Sequence, residues 1–517
     1  MSVRIDPALL YGEQAFFLDY VARRTSALRL VEREPDAFAE AASARRSPLS
    51  PCDEIAEALR VYNRRLGASL TTLEHVERLR EPTTLCVVGG HQAGFLGGPL
   101  FAVYKALSVL RAARYAEETL GVPVVPLFWL ATEDHDFTEI NRARFLEPDG
   151  ALRTVSFDWP DRGRPIEKLP ITAEVRRALD EALPQDSVGT ASSIFRPAEG
   201  DDYASWHARI WLRLFADDGL VLVEPRTVRR FSGPFFRDAL ERADEIARAL
   251  RGGRDALASA GYDAPLDPDR AGRPFVFGPS GERVRVDDPS AHIDIAARAP
   301  ERYSADAALR PLLVDRLFPT IGSVLGPTEL TYHAMLHPVY SVFDLPQPVL
   351  LPRAGYTLLD EAEAHVLERL GLSIDEALAP DVDSKAVLRR AASPEMQRAF
   401  DAARRDLASG LAPLRPLLTK LDPGLESRWH QTADHAGAAI DRLEERAVRA
   451  DLARAGLSAG GLHALLASLR PTGRPQERVL SFAHAAARFG VEWVRRLPGS
   501  DRPDRFAHFA VTIQGGP

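Results

Sequence analysis

Residues 84–99 read TLCVVGGHQAGFLGGP, an apolar run that stops abruptly in a cluster of glycines. An unbroken run of this length, without polar alternation, suits a strand buried on both faces of a parallel sheet, and the glycines suit a tight turn leaving its end. The spacing that follows predicts a helix over residues 99–120: Pro99 fits its first turn, and Gly121-Val122-Pro123 stops it. A second apolar run at 124–130 completes a strand–helix–strand unit, which closes into a parallel sheet with the helix on one face. Working outward, the runs at 220–223, 321–325 and 349–351 read as further strands of that sheet, and helices over 203–216 and 328–336 alternate with them. The fold class predicted is α/β.

The chain has 517 residues, enough for roughly three domains. Residues 1–80 carry apolar positions at helical spacing, such as Phe16, Phe17, Tyr20, Ile55, Leu59 and Tyr62, and read as a helical lead-in. The core then spans 81–360. Stretches near 150–200 and 255–305 are rich in Pro, Gly and Asp, as insertions into a sheet domain would be. Residues 361–460 read as a helical coiled-coil hairpin, in which the apolar spacing becomes three and four from Ser393-Pro394-Glu395 onward, in two arms. One arm has Met396, Phe400, Ala403, Leu407, Leu411, Leu414, Leu418 and Leu421. The other has Leu425, Trp429, Thr432, Ala436, Ala439, Leu443, Ala447 and Ala450. Pro413 and Pro416 must kink the end of the first arm, and Asp422-Pro423-Gly424 supplies a turn, so the arms form a helical hairpin. Its seam could pack within the chain or against a second copy. Residues 461–517 are expected to return to the core.

Composition narrows the function. A net charge of −8 opposes binding to a nucleic-acid backbone. Lys105, Lys168, Lys385 and Lys420 are the only lysines, so nearly all cations are arginine. Cys52 and Cys86 form neither a CxxC pair nor a zinc-ligand spacing, which fits a reducing compartment. No basic leader and no apolar stretch of membrane-spanning length is present, so no membrane association and a cytoplasmic location are expected.

Two loops could carry chemistry. In a parallel sheet, the turn holding Gly89, Gly90, His91, Gln92 and Gly94 lies at a strand's carboxyl end, where ligands bind, and its N–H groups can approach an anion closely. Gly89 and Gly94 have the outer spacing of a P-loop, but Phe95-Leu96 stands where Lys-Ser/Thr would be required, and no G-x-G-x-x-G occurs here. A turn that merely permits tight packing would account for the glycines equally well; His91 and Gln92 favour a ligand site. After the second strand, Glu133, Asp134, His135 and Asp136 place three carboxylates around one histidine. That group could tune or orient a base, or assemble a metal site; otherwise it is a solvated loop. Lys105, on the helix after the glycine loop, would suit an anionic substrate.

Together, the glycine-glutamine loop, FWLATEDHDFTEIN (128–141), GPTELTYH (326–333), LPRAGYTLLD (351–360) and PQERVLSF (475–482) resemble the bacillithiol biosynthesis cysteine-adding enzyme family over nearly the whole chain. The resemblance implies a Rossmann-like core similar to class I aminoacyl-tRNA synthetases, with connective insertions, an α-helical coiled-coil domain and homodimerisation. It also implies a ligase that joins L-cysteine to the amine of glucosaminyl-malate. Amide formation from a free carboxylate needs activation, so ATP is the expected cosubstrate, and no tightly bound cofactor is expected. Carried over by position, Glu133, Asp134, His135 and Asp136 form the candidate catalytic set, with Gly90, His91, Gln92, Gly94, Lys105, Asn141 and Arg353 as substrate or nucleotide contacts. Arg353 and Lys105 are the cations assigned to the malate carboxylates. The family usually has glutamine at the position of His91, which here adds a titratable group. The competing readings are a metal-dependent hydrolase or amidase built on His135 with Asp134 and Asp136, and a nonenzymatic scaffold that presents the hairpin.

Overall fold

The computed structural model describes residues 2–45, 52–161, 163–183, 193–499, 502–503 and 505–514. Five parallel strands form the central sheet: β1 (Leu85–His91), β2 (Val124–Leu130), β3 (Val221–Val223), β4 (Thr320–Leu325) and β5 (Val349–Pro352). Their order is β5-β4-β1-β2-β3. These are the five apolar runs read from the sequence, and their near-complete burial is why they lack polar alternation. The chain leaves β1 for β2 on one side and reaches β4 and β5 on the other. The crevice between β1 and β4 is therefore the topological switch point, where ligands bind in sheets of this kind.

Helix α1 (Leu100–Leu120) connects β1 to β2, with Pro99 just before it and Gly121 ending it in the left-handed conformation. Residues are buried all round its first half, because the helix is packed against the sheet and covered by other elements. The approach is close: a Cβ on Gly89 would lie 2.6 Å from Val109 Cγ2. Helix α2 (Tyr203–Leu214) precedes β3, and α3 (Pro327–Met335) follows β4.

The chain divides into two compact units, one of residues 1–145, 153–357 and 475–517, the other of 146–152 and 358–474. The N-terminal helices, read from sequence as a lead-in, belong to the first unit: Phe16, Tyr20, Ile55 and Leu59 share one apolar core with Trp129 and Leu350. Residues Ser2–Ile5 form a strand that pairs antiparallel with His508–Thr512, a pairing of the two chain ends that no local pattern announces. The return to the core begins at 475 rather than 461. The insertion at 255–305 forms a small antiparallel sheet of Phe275–Phe277, Arg283–Arg285 and Tyr303–Ser304.

In the second unit, α4 (Pro394–Leu411) and α5 (Leu414–Leu421) form the kinked first arm and α6 (Leu425–Arg454) the second. The arms pack on each other: Trp429 Nε1 donates to Leu411 O at 3.0 Å, and Arg404 pairs with Asp441 and Glu444. The seam of α6 differs from the one read at heptad spacing. Thr432, Ala439, Leu443 and Ala450 face solvent, whereas the buried positions are Glu444, Val448 and Leu452. A straight helix drifts about 20° per heptad away from a strict seven-residue repeat, and over 30 residues that moves the contact stripe.

Candidate functional site

A cavity of about 460 Å³ opens at the carboxyl ends of β1 and β4, in the switch-point crevice. Of the residues singled out in the sequence, Gly90, His91, Gln92, Lys105 and Asp134 line it. They are joined by Glu139, Arg310, Ser323, Glu329, Tyr332 and His333.

Because α1 leaves β1 and α3 leaves β4, their first turns flank the same crevice. Lys105 of α1 is 2% exposed, and its Nζ donates to Gly90 O at 2.9 Å and to the two Glu329 carboxylate oxygens at 2.7 and 2.5 Å. Glu329 also accepts from the Gly326 N–H at 2.7 Å, capping α3. Burial raises the Glu329 carboxyl, but Lys105 outweighs it and holds the group at about 2, so the pair stays charged. Lys105, the cation assigned to a malate carboxylate, thus lines the cavity already paired with Glu329.

The His91 ring stacks on Phe101 with centroids 4.8 Å apart, and its Nδ1 accepts from the Gln92 N–H at 2.6 Å. That bond fixes the Nε2–H tautomer of a neutral imidazole. Burial, reinforced by Lys105, lowers His91 to about 3, and burial lowers His333 to about 4. Both rings are uncharged at neutral pH. The Gln92 amide reaches the carboxylates of Asp134 and Glu139 across the cavity mouth.

The acidic loop after β2 does not present its four candidates together. Glu133 is 2% exposed and lies 3.4 Å from Arg310 Nε and 3.7 Å from Arg229. Asp134 accepts from Arg310 and, at 3.0 Å, from Arg283. Burial raises the Asp134 carboxyl, yet these two guanidiniums hold it below its ordinary value, whereas burial prevails at Glu133 and raises it. His135 and Asp136 are exposed; His135 meets Phe275 edge-on, and Asp136 accepts from Thr138 Oγ1 at 2.9 Å. Among the described residues, no group of three His, Cys, Asp or Glu side chains is arranged to hold a metal ion, so the grouping of His135 with Asp134 and Asp136 does not form. The loop is instead the acidic half of a buried ion-pair network. Arg229 forks onto Glu167 at 3.0 and 2.7 Å, and Arg226 Nε donates to the two Glu224 oxygens at 3.0 and 2.9 Å.

The remaining candidates lie off the cavity. Asn141 donates to Phe157 O at 3.0 Å. Arg353 is 2% exposed, forks onto Glu477 at 2.9 and 2.6 Å, and is not among the lining residues. Gly94 turns its carbonyl away, toward His207. A second cation that lines the cavity, beside Lys105, is Arg310, whose side chain is 20% exposed. It sits in a stretch, DAALRPLL (306–313), with no glycine or histidine and a single acid, Asp306, to mark it. Glu329 and His333 were legible as part of GPTELTYH, but only the pairing of β1 with β4 connects them to Lys105.

The description "Bacillithiol biosynthesis BshC, N-terminal Rossmann-like domain" matches residues 4–354, and "Bacillithiol biosynthesis BshC, C-terminal coiled-coil domain" matches residues 356–513. Proteins named "Putative cysteine ligase BshC" are similar along most of their length. That of Geobacillus thermodenitrificans is 30% identical over 489 residues, covering 89% of this chain and 90% of the relative. That of Symbiobacterium thermophilum is 30% identical over 490 residues, 86% of each chain. That of Koribacter versatilis is 30% identical over 467 residues, covering 86% of this chain and 87% of the relative.

Proposed function

This chain belongs to the bacillithiol biosynthesis BshC family, and we propose that it forms the amide between the carboxyl of L-cysteine and the amine of glucosaminyl-malate, with ATP activating the carboxyl. At the coarser level, it is a ligase that uses cysteine in bacillithiol biosynthesis. The observation that carries the finer reading is the cavity at the β1/β4 switch, where Arg310, the glycine loop and an uncharged imidazole face one space.

Arg310 supplies fixed positive charge for a substrate carboxylate, and the turn at Gly90–Gln92 brings main-chain groups to the same space. In the activation step a cysteine carboxylate oxygen attacks phosphorus of ATP. Either pyrophosphate leaves and an acyl adenylate forms, or ADP leaves and an acyl phosphate forms. The glucosaminyl amine nitrogen then attacks the acyl carbon, the new C–N bond forms, and AMP or phosphate departs with the acyl oxygen. The amine must shed a proton, and neutral His333 is the cavity-lining group assigned to accept it.

The test is incubation of the purified protein with L-cysteine, glucosaminyl-malate and ATP, read by mass spectrometry of thiols and nucleotides. The expected result is an amide product that requires all three substrates, with stoichiometric AMP or ADP identifying the activated form. No amide with all three present, together with unchanged bacillithiol in a producing strain lacking the gene, would overturn the proposal.

A further inference from the structure

Behind the glycine loop lies a histidine that the chemistry above does not use. His207, on α2, is 1% exposed and does not line the cavity. Both of its ring nitrogens are engaged: Trp211 Nε1 lies 2.8 Å from Nε2, and Nδ1 lies 3.0 Å from the Gly94 carbonyl oxygen. An indole N–H can only donate and a carbonyl can only accept, so one form alone satisfies both bonds, the neutral ring protonated at Nδ1. Burial lowers His207 to about 3, which keeps the ring neutral.

The loop that it touches needs holding. Leu96, Gly97 and Gly98 have φ of 54°, 85° and 79°, three consecutive residues in the left-handed region, and Leu96 bears a Cβ that disfavours it. Such backbone persists where the surroundings over-determine it. On one side, Phe482 N–H donates to Gly98 O at 2.8 Å, and Phe95 is enclosed by Phe157 and Trp206. On the cavity side, the bonds run in series: Gly94 N–H donates to Gln92 O at 2.9 Å, and Gln92 N–H donates to His91 Nδ1 at 2.6 Å. A Cβ at Gly94 would lie 2.6 Å from Gly98 Cα, so the two halves of the loop meet at the residue that His207 grips.

We propose that His207 is a positioning residue: its Nδ1–H, held in that tautomer by Trp211, fixes the Gly94 carbonyl and through it the Gln92–His91 edge of the substrate cavity. This rests on the cavity being the ligase site.

Asparagine places its amide nitrogen near the position of Nδ1, whereas the longer glutamine carries its amide toward the position of Nε2. H207N and H207Q are therefore compared for kcat and KM toward each substrate, and for urea stability. H207N is expected to stay within about threefold of wild type, and H207Q to lose about tenfold to a hundredfold in kcat/KM at comparable stability. In the unsubstituted protein, ¹⁵N NMR of the histidine assigned through its contact with the Trp211 indole N–H is expected to show Nδ1–H. Equal activity of H207N and H207Q at equal stability, or an Nε2–H ring in wild type, overturns the proposal. If wild type makes no amide, the functional reading fails, and the NMR result still decides the tautomer.

Discussion

Glu329→Gln isolates the charge at the centre of the cavity wall, because glutamine keeps an oxygen for the Gly326 N–H while removing the partner of Lys105. A carboxyl held at about 2, against an ordinary 4.5, corresponds to about 3 kcal/mol of stability at neutral pH. The folded-state value is depressed, so this stability is fully present above pH 4.5 and is lost as pH falls from there through about 2. At pH 7, E329Q is expected to destabilise the first unit by about 3 kcal/mol, since it leaves the Lys105 ammonium buried without a counter-charge. The deficit should shrink below pH 4. Because burial also disfavours charged Lys105, the double variant K105M/E329Q should be more stable than E329Q alone. Urea unfolding followed by tryptophan fluorescence is the assay: Trp129, Trp159, Trp206, Trp211 and Trp493 lie in the first unit and only Trp429 in the second. A pH-independent loss below about 0.5 kcal/mol would refute the reasoning, because it would make this an ordinary exposed salt bridge.

Arg310→Leu should lower kcat/KM by about a hundredfold, since it removes a cavity-lining cation and leaves Asp134 with Arg283 alone; an unchanged kcat/KM for all three substrates in steady-state kinetics would contradict this role. Arg353→Met should cost about 3–5 kcal/mol by stranding Glu477 in the core, with kcat unaffected in the folded fraction, and a selective rise in substrate KM would restore Arg353 to the site. The first hairpin arm has no fully buried side chain, and Leu414, Leu417 and Leu421 are 45%, 60% and 78% exposed at three- and four-residue spacing. We propose that a second copy covers them. Light scattering should then show a homodimer that L417E/L421E converts to monomer, and a monomeric wild type would rule it out.

The parallel core was legible in the order of residues alone, because a strand buried on both faces must be apolar along its whole length, and five such runs stand out between helices. So was the place of the glycine loop, since β1 ends where the glycines begin. The same order marked Asp134 and Arg353 as noteworthy but not their roles: a carboxylate reads the same in a chain whether it meets substrate or arginine. It takes the folded chain to show that Asp134 is held by Arg283, brought by a small insertion sheet, and by Arg310. Folding likewise brings Lys105 to Glu329, 224 positions away. The pairing of Lys105 with Glu329 follows from strand order, which places β1 beside β4. Strand order is set by the packing of whole layers and leaves no mark in the local spacing of residues.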